Sequence, residues 1–215
     1  MAPLAPRIAK DLGPFLLVTS EDTLTLVLEA LSVVVEIEGD WMTTQLAGDL
    51  VVAVLDVWTK NVKGIELGST VSGVVAHSRS PLDPIFISLI SGTLETIAHF
   101  PSPGVYEALI KAALPSLCQA LGSSGSDSSW ITGSALDLLT GIIRGADSEN
   151  GLGEGFFAAI ASPLFKCLDG AEDRDVLQVG TVPWLALRIL PFLLERGFLF
   201  DCHHPEGRAT SSGLD

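Results

Sequence analysis

Residues 21–60 read EDTLTLVLEALSVVVEIEGDWMTTQLAGDLVVAVLDVWTK, and the fold turns on the spacing of their apolar residues. Leu24, Val27, Leu28, Leu31, Val34 and Val35 recur at three- and four-residue steps, which puts them on one stripe of a helix. The β-branched run Val33–Val35 favours a strand taken alone. The length and flanking register favour a helix over 21–37. The stripe resumes after Gly39 with Ala47, Leu50, Val51, Val54, Leu55 and Trp58, predicting a second helix over 43–60 that Thr43 or Thr44 can cap.

The same pattern extends along the chain. Helices are predicted over 83–100 (Phe86, Leu89, Ile90, Leu94, Ile97) and 103–121 (Tyr106, Leu109, Ile110, Ala113, Leu114, Leu117). Two more are predicted over 129–144 (Ile131, Ala135, Leu138, Leu139, Ile142, Ile143) and 154–168 (Phe157, Ile160, Ala161, Leu164, Phe165). Asp83 and Pro84 suit the N-cap and first-turn positions of their helix. Pro115 and Pro163 fall inside two helices and should bend or split them, because each removes a backbone donor.

These helices group into three units, Glu21–Lys60, Asp83–Leu121 and Ser129–Leu168. Each is about 40 residues long, the length of a HEAT or armadillo repeat. A helix pair cannot bury its stripe alone and stacks on its neighbours. The predicted fold is therefore all-α: a HEAT/armadillo-like helical repeat solenoid, an α-α superhelix of about three helix pairs. Residues 1–20 form a lead-in or partial helix, and helix pairs occupy 21–61 and 83–122. A linker and the third pair follow over 123–170. An irregular insert is expected at 62–82, where three glycines and four serines interrupt any stripe. A further helix is expected within 171–200 and a disordered tail over 201–215.

Composition narrows the function. With 26 acidic against 12 basic residues the net charge is −14, which opposes binding to nucleic acid or an anionic membrane. An acidic surface steers basic partners toward it. Cys118, Cys167 and Cys202 are far apart, form no CxxC and follow no secretory signal, so a reducing compartment, cytoplasm or nucleus, is expected.

No motif of chemistry stands out. GLGEG at 151–155 lacks the Lys-Ser/Thr of a phosphate loop and suits a turn. Cys202, His203 and His204 lack the further ligands a metal site needs. His77 and His99 are isolated, and no nucleophile elbow is present. Glu29, Asp49, Asp56 and Asp137 interrupt apolar helices as solvated faces would. The chain is expected to be a binding protein, not an enzyme, with no cofactor or metal.

Four stretches carry a resemblance: LTLVLEALSVVVEIEGDW (24–41), LVVAVLDVWTKN (50–61) followed by DPIF (83–86), PSPGVYEALIKAALPSLCQAL (101–121) and LGEGFFAAIASPLFKCLDGAEDRDVLQ (152–178). Together they resemble the central part of importin-nine-type karyopherins, of the importin-β family of HEAT-repeat transport receptors. The resemblance breaks at 62–82 and after Gln178, as it would if those segments were translated intron. It implies part of a nuclear import receptor several times longer, which carries core histones and other basic proteins and is governed by the Ran GTPase. The repeats that usually engage Ran are not among the matching stretches. A generic HEAT-repeat scaffold for protein–protein contacts is the alternative.

Three acidic clusters lie at or near predicted helix ends: Glu36, Glu38 and Asp40; Asp147, Glu149 and Glu154; Glu172, Asp173 and Asp175. As solvated turns they need no partner. The resemblance raises the other reading, contact with a basic cargo, where such charges act mainly on encounter rate and salt dependence.

Overall fold

The computed structural model describes residues 4–18, 21–71, 84–122, 129–146 and 154–169. Seven helices and no strand occur among them. They are α1 (Ala5–Val18), α2 (Glu21–Val35), α3 (Thr44–Val71), α4 (Pro84–Ala98), α5 (Val105–Gly122), α6 (Ser129–Gly145) and α7 (Glu154–Asp169). The apolar stripes read from the sequence are the buried ones: Leu24, Leu28 and Leu31 in α2, Leu50, Val51, Val54 and Trp58 in α3, Ile90, Leu94 and Ile97 in α4. Thr43 is the cap of α3; its Oγ1 accepts a hydrogen bond from the Leu46 amide at 3.2 Å.

Alternate helices make the main interfaces. α2, α4 and α6 pack in sequence to form one layer; α1, α3, α5 and α7 form the other. α4 and α6 run parallel. Gly141 of α6 lies against Ser91 of α4, and Gly145, one turn on, lies against Glu95 and Ala98. The 40-residue spacing predicted sequence neighbours as partners, yet α2 and α3 share at most a marginal contact, as do α6 and α7. Contacts between layers instead join α1 to α2, α4 to α5, α5 to α6 and, more weakly, α3 to α4.

Two expectations are corrected. The lead-in is a full helix. Ala5, Ala9 and Leu16 of α1 are buried, and Gly13 sits close to Leu50 of α3, so small residues let α1 approach the stack. The insert begins as helix: α3 continues ten residues past Asn61 to Val71. Extending a formed helix fixes one residue per added hydrogen bond, so Gly64 and Gly68, at about 1 kcal/mol each, are tolerated. Residues 72–83 lie outside the described residues, as do the expected further helix and tail. Neither proline splits its helix. Pro115 and Lys111, whose carbonyl loses its partner, are both exposed, so water can take the missing bond.

Among the described residues, the polar residues buried as a whole lie on α4 and α6: Ser91, Thr93, Thr132 and Ser134. Ser91 Oγ donates to the Asp137 carbonyl of α6 at 2.9 Å. Trp58 Nε1 donates to Ser134 Oγ at 3.1 Å, and Ser134 donates onward to the Ile131 carbonyl at 2.9 Å. This chain ties α3 to α6 across the layers. The half-exposed Arg144–Glu95 pair at 3.2 Å adds little by comparison, below about 1 kcal/mol.

A Cβ added at Gly141 would stand 2.5 Å from the Ser91 carbonyl oxygen, and one at Gly145 would overlap the Glu95 carbonyl. Backbone cannot yield as a side-chain tip can. Gly141→Ala and Gly145→Ala are each expected to destabilise by about 1–3 kcal/mol in chemical denaturation, whereas Gly48→Ala, with open space around it, should be neutral or stabilising. Equal stability of all three variants would contradict the close α4–α6 contact.

Candidate interaction rim

The loops from the α2–α4–α6 layer to the other layer gather on one edge. Residues 36–43 join α2 to α3, and residues 99–104 join α4 to α5. Trp41 of the first meets Phe100 of the second edge-to-face, with ring centroids 5.3 Å apart and planes at 82°. Trp41 Nε1 also donates to the Ile37 carbonyl of its own loop at 2.7 Å. Gly104, at φ 77°, sits against Thr44 at the start of α3. The end of α6 reaches the same edge, because Gly145 packs on the end of α4.

Glu36, Glu38 and Asp40 are exposed on this rim. The Glu36 amide bonds the Ser32 carbonyl at 3.1 Å and the Ile37 amide bonds the Val34 carbonyl at 3.2 Å, so the turn grows directly from the end of α2. Gly39 separates the other two acids at φ 128°, a backbone region that a side chain would strain. The three carboxylates are thus held on a short turn whose aromatic residue is pinned to the next loop. Such an edge can accept lysine and arginine side chains. Glu154 is the first residue of α7. Asp147, Glu149, Glu172, Asp173 and Asp175 lie outside the described residues.

The acids were legible as a charge cluster. The Trp41–Phe100 contact that supports them was not, because the two residues are 59 positions apart and nothing in their spacing links them. Among the described residues no group of His, Cys, Asp or Glu could hold a metal ion, and no helix is long and apolar enough to cross a membrane. Burial raises the thiol pKa of both Cys118 and Cys167, which disfavours their reactive thiolates. Comparison of the chain with family models, with curated proteins and with solved structures finds no match.

Behind the rim, the hydroxyls of Ser102 and Tyr106 are buried without a hydrogen-bond partner. Burial pushes the Tyr106 phenol from 10.0 up to about 12. Between those values the unfolded phenol ionises while the folded one keeps its proton, so stability should fall as pH rises through this window. Tyr106 is the sole tyrosine, so tyrosinate absorbance reports it alone. Tyr106→Phe is expected to be neutral or stabilising by up to about 1 kcal/mol at pH 7 and to flatten the alkaline loss. A clear destabilisation by Tyr106→Phe at neutral pH would mean that the hydroxyl has a partner.

Proposed function

We propose that the chain is part of a HEAT-type solenoid that binds proteins, and that it serves in a nuclear import receptor for basic cargo. The observation that carries this reading is the acidic turn Glu36–Asp40, exposed on a rim that Trp41 and Phe100 hold in place. Two-layer packing of alternate helices supports the repeat assignment, since each helix added to a layer uses the same kind of interface. The resemblance of 24–41, 50–61, 83–86, 101–121 and 152–178 to importin-nine-type karyopherins supports the transport role and core histones as cargo. Release of cargo would be controlled by the Ran GTPase in the intact receptor, shuttling between cytoplasm and nucleus. Asp147 and Glu149, between α6 and α7 in sequence, Glu154 at the start of α7, and Glu172, Asp173 and Asp175 after it are included in this reading as further acidic contacts.

Contacts of this kind work through charge. Three carboxylates near the surface raise the local concentration of a basic partner and speed encounter, and salt screens them within about 10 Å at 0.1 M. Core histones should bind the purified chain, and Glu36→Lys/Glu38→Lys/Asp40→Lys should weaken binding about tenfold or more near 0.1 M salt, with a shallower salt dependence. Fluorescence anisotropy of a labelled histone checks this. Binding that ignores the charge reversal would remove the rim from the interaction.

A further inference from the structure

The loop from α4 to α5 holds a hydroxyl that the fold does not use. Ser102 Oγ is buried with no hydrogen-bond partner, although the residue as a whole is part-exposed. Pro101 and Pro103, on either side of it, are exposed. Ser102 opens a Pro-Gly turn. The Val105 amide bonds its carbonyl at 3.3 Å, and Gly104, at φ 77°, takes the third position, where a type II turn calls for glycine. The backbone of Ser102 thus lies on a surface corner while its hydroxyl is turned inward.

The two prolines set the shape of this segment. Each fixes its own φ at about −65° and pushes the residue before it toward an extended form. Phe100, Pro101, Ser102 and Pro103 therefore make a stiff piece of chain, with no amide at two of its four positions. A serine held extended by a following proline is the substrate pattern of proline-directed serine/threonine protein kinases. Ser80 and Ser162 also precede prolines. Ser80 lies outside the described residues, and Ser162 is inside the helix α7, which is the wrong shape.

We infer that Ser102 is a phosphorylation site and that the Trp41–Phe100 contact gates it. Phe100 is two residues from Ser102 on the same stiff segment, so drawing the hydroxyl out lifts Phe100 off Trp41. In the transfer, Oγ attacks the γ-phosphorus of ATP and the bond to the β–γ bridging oxygen breaks. ADP leaves, and the hydroxyl proton passes to the base of the kinase. The phosphoserine carries a charge of about −1.5 to −2 at pH 7. That charge cannot return to a buried position with no partner. Outside, it is repelled by Glu36, Glu38 and Asp40 on the loop that Trp41 shares. Both effects hold the two loops apart, so the contact is closed before modification and open after it. Neither step depends on what the rim binds.

Treatment of the full chain with ATP and a mitogen-activated protein kinase, followed by site-resolved mass spectrometry, is the test. Phosphate should appear on Ser102 ahead of Ser162. Trp41→Ala and Phe100→Ala, both at part-exposed positions, should each raise the rate at Ser102 about three- to tenfold, the worth of an edge-to-face pair, with unchanged helical circular dichroism. The Trp41 indole N–H, bonded to the Ile37 carbonyl, gives a signal of its own in a proton–nitrogen correlation spectrum. This signal should move when the wild type is phosphorylated and stay in place in kinase-treated Ser102→Ala. No phosphate on Ser102 in the wild type and both variants alike would overturn the proposal. So would equal rates with and without the aromatic pair, or an indole signal that ignores phosphate on Ser102.

Discussion

Two glycines let α6 lie directly on α4, and the rest of the stack depends on that approach. Gly141 and Gly145 are one turn apart and both face α4, where a side chain would strike the carbonyls of Ser91 and Glu95. At this separation Ser91 can reach the Asp137 carbonyl with its hydroxyl, and Glu95 can pair with Arg144. The contact fixes the two helices parallel and in register. Their C-terminal ends therefore share an edge, and the loops that follow start from the same side of the molecule. An acidic rim assembled from separate loops needs this alignment.

The same geometry accounts for the composition. A helix in the middle of a layer is covered by two layer neighbours and by the opposite layer. α4 accordingly buries Phe86, Ile87, Ile90, Leu94, Ile97 and Ala98. A sequence that is 47 % hydrophobic follows from helices covered on three sides, and the charges are left to loops and outer stripes. Four hydroxyl side chains are nonetheless buried in α4 and α6. Hydrogen bonding makes three of them tolerable: Ser91, Thr93 and Ser134 each donate to a backbone carbonyl. Ser134 also accepts from Trp58, so a polar group in the core ties α6 to α3 of the other layer at one point.

Much of this was legible in the sequence. The 3.6-residue stripes placed α2, α4, α5, α6 and α7 to within a few residues, and Glu29, Asp49 and Asp56 are exposed as their interruption of those stripes suggested. What failed to show has physical causes. α1 makes its contact through Ala5, Ala9 and Gly13, small residues with a weak hydropathy signal, so it read as a lead-in. The end of α3 was hidden by Gly64 and Gly68, which lower helix propensity without stopping a helix already formed. The pairing of alternate helices was invisible because periodicity gives the apolar face of a helix and not the identity of what covers it. On the rim, charge was readable and support was not: Glu36, Glu38 and Asp40 announce themselves, whereas Trp41 and Phe100 meet only once α2 and α4 lie side by side.

Native-state hydrogen exchange read helix by helix tests the central claim, that the α4–α6 contact organises the stack. Their inward amides should be the slowest in the chain and should exchange with one common free energy, equal to that of global unfolding, while α1 opens earlier. If α4 and α6 exchange with different free energies, or faster than α1, the two helices do not form the shared unit from which the rim is built.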